Sequence, residues 1–246
     1  MTIRVPRKRV DAYQHGDLRP ALIKAGLKLL SEGGVNDLSL RAAAELAGVS
    51  HAAPYRHFRD KHALVSAIAE EGFRLLTRHM REEMSRADET DVLARLQASG
   101  FGYVSFAVEH PAYFRTIFGG AVCGVGQEPT PSLLEAGDEA YRVLRDTVAQ
   151  GIAEGLLRAG DPEQLSLAAW SLVHGLGMLI IEGQLRDVPS DAGRLRALTE
   201  GVMTLLMNGL RPPSSAAKRT TGGRSTNLTP RPAGPRHDRR IRGRSP

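Results

Sequence analysis

Residues 39–64 read SLRAAAELAGVSHAAPYRHFRDKHAL. Ser39 is placed to cap a helix whose inward face, Leu40, Ala43, Ala44 and Ala47, carries mostly one-methyl side chains that let a neighbouring helix approach closely. Gly48 supplies a turn, Val49 plugs the core beneath it, and Ser50 caps a third, short helix running to about Phe58. Asp60 caps a longer helix, on which Leu64, Ile68, Leu75 and Met80 share approximately one face. The order is helix, tight turn, helix.

The same periodicity extends in both directions. Upstream, Asp17 can cap a helix with the apolar face Leu18, Leu22, Ala25 and Leu29, Pro20 falls early enough to cost little, and Gly33-Gly34 ends it. Downstream, a helix near residues 90–109 is closed by Pro111, and a short aromatic segment, AYFRTIF, covers 112–118. After a glycine-rich loop a further helix is expected from Pro131 to about Ala159, ending at Gly160. Asp161-Pro162-Glu163-Gln164 then gives an N-cap, a proline at the first helical position and a glutamine set to close a capping box. Leu165, Ala168, Leu172, Leu176 and Leu179 recur at helical spacing on that element, and Leu195, Leu198, Val202, Leu205 and Leu206 on the last one. Each stripe reads equally as ordinary core or as half of a four-helix interface between two copies. No alternating strand with hairpin chemistry appears. The expected class is all-α: a three-helix N-terminal helix-turn-helix head and a C-terminal body of about six helices. The expected divisions are a basic arm (1–13), the head (14–60), the body (61–210) and a disordered basic tail (211–246).

Charge is segregated along the 246 residues, whose net charge is +6. Residues 1–62 hold 11 Lys/Arg against six Asp/Glu, residues 63–210 hold 12 against 20, and residues 211–246 hold 10 against Asp238 alone. A basic head on an acidic body points to a polyanion that meets the head, because phosphate affinity rests on locally placed cations. The tail, rich in Pro, Gly, Ser and Thr, either adds nonspecific nucleic-acid affinity or only solubilises. A single cysteine, Cys123, excludes an internal disulfide. The N-terminus lacks the apolar core of a secretory signal, and unbroken apolar runs fall far short of about 20 residues. The expectation is a cytoplasmic protein without membrane contact.

The head, preceded by a helix and followed by a long one, resembles the DNA-binding head of the TetR family of bacterial repressors over about residues 14–66. AGVS at 47–50, YRHFRDK at 55–61 and the following Leu64 carry the likeness. The resemblance implies double-stranded operator DNA as partner and Arg41 as a contact from the second helix, where a guanidinium reaches guanine or phosphate. Ser50, His51, Ala52 and Ala53 match the start of the recognition helix, with His51 the best polar reader and the alanines suited to a thymine methyl. Tyr55 and Lys61 match phosphate clamps. Ser39, Arg56 and His57 complete the implied DNA-facing set. Leu40 departs from the family pattern, standing where a hydroxyl residue commonly contacts phosphate. Pro54 departs from helix chemistry by removing a backbone donor, which makes the start of the recognition helix 3₁₀-like or tilted.

AAWSLVHGLG at 168–177 resembles the Trp-His-Gly signature of a C-terminal domain in one TetR subgroup. Trp170 and His174, four residues apart, share a helix face. With Phe101, Tyr103, Phe106, Tyr113, Phe114 and Phe118 they make either an aromatic core or an effector pocket with a few polar handles. The resemblance further implies a homodimer through helices near 161–185 and 190–209, and a small-molecule effector that releases DNA.

Catalytic chemistry finds little support. His51, His57 and His62 lack i, i+4 spacing and a cysteine partner, so no metal is expected there. Cys123 and His110 lack an oxyanion or orienting signature, and there is no phosphate-cradling or dinucleotide fingerprint, hence no cofactor and no enzyme. The competing function is a non-allosteric architectural DNA-binding protein that uses its basic tail.

Overall fold

The computed structural model describes residues 18–120, 122, 128–185 and 191–211. The expected arm, the Asp17 cap, Cys123 and the tail beyond Arg211 lie outside them. The described residues are all-α and contain no strand. The elements are α1 (Leu18–Asp37), α2 (Leu40–Leu46), a 3₁₀ turn (Pro54–Arg56), α3 (Lys61–Met84), α4 (Val92–Glu109), α5 (Pro111–Phe118), α6 (Pro131–Ala153), α7 (Pro162–Ile181) and α8 (Ala192–Leu210).

Local chemistry explains most boundaries. Ser39 Oγ accepts from Ala42 N at 3.0 Å to start α2. Asp60 Oδ1 accepts from Ala63 N at 2.8 Å to start α3. That bond, reinforced by Arg59, holds the Asp60 carboxyl below the usual carboxylate range. Regular helix in α1 breaks at Gly34, whose φ of 73° lies in the left-handed region that favours glycine.

Two expectations need correction, and the two apolar stripes left open above are resolved. The third head helix is a turn followed by a single 3₁₀ turn. Pro54 has no N–H to offer the Ser50 carbonyl, which accepts instead from Ala53 N at 3.0 Å, the tighter i→i+3 pattern. The helix from Pro131 stops at Ala153, because Gly155 (φ 71°) takes the capping role assigned to Gly160. Leu157 then folds back, bonds to the Gly151 carbonyl at 2.9 Å and is buried. Of the α7 stripe only Leu176 is buried; the inward face is Ser166, Ala169, Val173, Leu176, Gly177 and Ile180. Ala168 and Leu179 instead face outward. On α8 the buried face is Leu195, Thr199, Met203, Met207 and Leu210, while Leu205 is 74% exposed. Both helices are apolar on more than one side, so periodicity alone does not choose the side that meets its own core.

Two cores result. In the head, α1, α2 and the start of α3 enclose Leu22, Ile23, Leu38, Ala43, Phe58, Leu64 and Ile68. In the body, α3, α4 and α7 enclose Tyr103, Val104, Phe106, Phe114 and Val173, with Met203 from α8. α3 runs unbroken for 24 residues from one core to the other. At its crossing with α4 the backbones touch: a Cβ on Gly102 would lie 2.7 Å from Met80 Cα. α7 is also long and apolar enough, with a mean hydropathy of 1.5, to cross a membrane by length and composition alone. Ser166, Ser171 and His174 interrupt its apolar runs, which is why a search for unbroken stretches passes over it.

Candidate functional site

On the head, Ser39, Arg41, Ser50, His51, Ala52, Tyr55, Arg56 and His57 are exposed, and Ala53 and Lys61 are half-buried. Pro54 and Phe58, between and beside them, are buried and anchor the segment to the head core. Tyr55 is 62% exposed, unusually open for a large ring. Arg41 Nε donates to His51 Nδ1 at 3.3 Å, so the second helix and the turn segment present a joined polar surface. In the neutral imidazole this places the remaining proton on Nε2, a donor turned away from Arg41. Ser39 spends its hydroxyl as an acceptor for the α2 cap but keeps its own proton to donate. Lys61 donates to the Val35 carbonyl, tying the start of α3 to the end of α1 and leaving two further donors on its ammonium.

In the body, the aromatic residues do gather. His174 stacks on Phe114 (centroids 5.4 Å apart) and meets Phe118 edge-on at 4.9 Å. Trp170 lies 6.1 Å from Phe118, and Tyr141, absent from the sequence-derived set, lies 6.0 Å from Trp170. At the centre Trp170 Nε1 donates to Tyr103 Oη at 3.0 Å, and Tyr103 Oη lies 2.9 Å from His174 Nδ1. An indole can only donate, so Tyr103 Oη accepts from Trp170, and its own proton is available to His174 Nδ1 in the tautomer that is protonated on Nε2. Burial depresses the His174 pKa and raises that of Tyr103. Burial and the neighbouring Glu163 carboxylate push Tyr141 up to about 12.

Phe106 is buried against Phe114 on the same side, 6.2 Å between centroids. Phe101 is not brought to the cluster: two residues from Tyr103 on a helix, it faces elsewhere, with the Arg196 guanidinium 3.8 Å over its ring. Tyr113 turns its hydroxyl to Glu71 Oε1 at 2.6 Å.

Side chains fill this cluster. The cavity beside Tyr103 and Trp170, also lined by Met80, Val173 and Met203, has a volume of about 20 Å³, enough for a single water. A larger groove of about 600 Å³ opens between α3 and α6, lined by Arg74, Arg78, Arg81 and Arg142 against Glu82, Glu135 and Glu139. Sequence reading missed it because its charges come from two helices more than 50 residues apart.

The eight residues of α5 touch both regions. Phe114 and Phe118 lie in the cluster around His174, while Tyr113 packs against the head core as well as the body core. Tyr113 and Ile117 also meet α3 at Gly72, where a Cβ would stand 3.0 Å from Ile117 Cγ2.

A helix-turn-helix surface joined by one long helix to a helical body with a polar-centred aromatic core is the architecture of a DNA-binding regulatory protein. The family described as bacterial regulatory proteins of the tetR family matches residues 22–68, and that described as tetracyclin repressor-like, C-terminal domain, matches residues 96–209. The tetracycline repressor protein class A from transposon 1721 of Escherichia coli is 32% identical over 176 residues, covering 70% of this chain and 68% of that protein. A solved protein of unknown function from Rhodococcus sp. RHA1 is 32% identical, with a TM-score of 0.69 over 81% of this chain and 98% of its own. A TetR family transcription regulator from Marinobacter aquaeolei VT8, 18% identical, shares the fold with a TM-score of 0.63 over 78% of this chain and 94% of its own. The chain belongs to the TetR family of DNA-binding transcription regulators.

Proposed function

We propose that this regulator is a cytoplasmic, ligand-responsive repressor that binds a palindromic operator as a homodimer and is released from it by a small molecule. The observation that carries the reading is the double contact of α5, which joins the His174 cluster to the head through Tyr113. An effector that enters the cluster must displace rings, and α5 passes that displacement to α1 and α3. Release requires that the effector prefer the arrangement that does not fit the operator; tight binding alone shifts nothing.

On the head, His51 Nε2–H and Arg41 reach acceptors on base edges, guanine N7 and O6 being the best matched. Ser50, Ala52 and Ala53 line the approach. Ser39, Tyr55, Arg56, His57 and Lys61 hold phosphates. In the body Phe106, Tyr113, Phe114, Phe118, Trp170 and His174 surround the effector, with the Tyr103 hydroxyl as a polar handle. Phe101 serves packing instead.

The outward faces of α7 and α8 support the homodimer. Leu179 is 48% exposed and Leu205 74% exposed, and Gly175, Gly201 and Gly209 face open space that would let a partner helix approach closely. Leu205→Glu is expected to convert a dimer to a monomer in sedimentation velocity; an unchanged dimer would place the interface elsewhere.

The deciding experiment titrates the chain, with and without residues 211–246, against DNA upstream of its own and neighbouring genes at two salt concentrations. Saturable, selective binding that survives removal of the tail is expected. Unselective binding that vanishes with the tail would instead establish the architectural function.

A further inference from the structure

His79 on α3, and Glu109 and His110 at the corner between α4 and α5, bring one ligand atom each to within 4.8 Å of one another. Sequence spacing gives no sign of this set, since His79 lies 30 residues before Glu109 and only the α3–α4 crossing unites them. We propose that these three side chains form a binding site for a first-row divalent transition metal ion of the zinc, nickel or cobalt class.

The donor set suits that class. Two imidazoles and one carboxylate favour borderline metals over calcium or magnesium, which take mainly oxygen ligands. Metal–ligand distances of about 2.0–2.2 Å place the ligands of a tetrahedral site roughly 3.3–3.6 Å apart, so closure from the observed spacing takes about an ångström of side-chain movement. Rotation of exposed Glu109 and a small tilt of the imidazoles supply it. Three protein ligands leave a fourth position open to water.

The frame that holds the ligands is stiff. A Cβ on Gly102 would lie 2.8 Å from the His79 carbonyl oxygen, so the backbone of α4 fixes that of His79. His110 is held from the other side: it caps α4 through a bond from its N–H to the Phe106 carbonyl at 2.8 Å, and Pro111 fixes the chain direction that follows. The two imidazoles stand edge-to-face with centroids 5.1 Å apart, and each lies 5.7 Å from Phe106, which forms the apolar floor beneath them. His110 makes no side-chain bond to the start of α5, so its ring nitrogens are not needed for the helix cap. A bound ion would tie α3 to the α4–α5 corner.

Cobalt(II) added to the chelator-treated full-length chain tests this, because its visible absorption reports coordination geometry directly. One equivalent is expected to give the intense bands of a four- or five-coordinate site, and zinc(II) to bleach them by displacement and to raise the melting temperature. His79→Gln and His110→Gln should abolish the bands. Glu109→Gln, on an exposed side chain that cannot disturb folding, should weaken cobalt affinity at least tenfold, since losing even an outer-sphere partner costs a metal site roughly 10–100-fold. No cobalt bands in the wild-type chain, bands that persist unchanged in folded His79→Gln, or undiminished affinity in Glu109→Gln would each overturn the proposal. Aromatic packing of the two histidines on Phe106 alone predicts those negative results.

Discussion

The head and the body are both helical, yet they keep their polar chemistry in opposite places. The head packs Leu22, Ile23, Leu38, Phe58, Leu64 and Ile68 around the fully enclosed Ala43 and Ala44, and the polar side chains of the 39–61 segment are left outside. The body buries rings and, among them, the hydrogen-bonded set of Trp170, Tyr103 and His174. A tightly packed head with its chemistry on the surface suits a rigid external partner such as a DNA duplex. A body with its chemistry inside suits a partner small enough to enter.

Each region has a position at which one kind of substitution is most telling. Phe114→Ala, at a fully buried ring, is expected to cost about 3–5 kcal/mol in a urea titration, the largest loss anticipated here. At the fully buried Ala43 of the head the sensitive change is enlargement: Ala43→Leu should cost about 1–3 kcal/mol through overpacking. If Ala43→Leu is neutral in the same assay, the close packing assigned to the head is wrong.

Tyr103→Phe removes one oxygen and strands the Trp170 N–H and the His174 Nδ1, for an expected loss of about 1–3 kcal/mol. A combined Tyr103→Phe, Trp170→Phe variant should lose less than the sum of the single changes, and strict additivity would show that the three groups are not coupled.

The smallest effect is a pH dependence that His174 gives the body. Burial holds the folded pKa of His174 below its ordinary value of 6.5. As pH falls, the unfolded chain is protonated first, so this contribution is complete above about pH 6.5 and is lost as pH drops toward the lower folded value. His174→Gln should flatten the slope of stability against pH in that window; an unchanged slope would place the titrating group elsewhere.

The fold was legible in the sequence at most helix starts and turns, where backbone chemistry is local, though with two candidate glycines the end of α6 fell at Gly155 rather than Gly160. Ser39 and Asp60 declare their helix starts, Gly34 and Gly48 their turns. Pro54 already announces the irregular turn, although not that a single 3₁₀ turn would replace a helix. Legibility fails where an element is apolar on two sides: on α7 only Leu176 of the expected stripe is buried, Ala168 and Leu179 face outward, and Ala169, Val173 and Gly177 meet the core. It fails again where distant helices meet. Trp170 and His174 could be paired from their spacing, but Tyr103 as the oxygen between them, Phe101 turned away under Arg196, and the meeting of His79 with His110 depend on how α3, α4 and α7 cross.

The central claim is that residues 39–61 read DNA as a symmetric pair. Selection of binding sites from a random duplex pool, run in parallel with the wild-type chain, Arg41→Ala and His51→Ala, tests it most directly. The account predicts a palindromic consensus for the wild type, with discrimination relaxed by about 1–3 kcal/mol at one symmetric pair of positions in each variant and with folding unchanged. A consensus identical in all three proteins, or no enrichment at all, would contradict it.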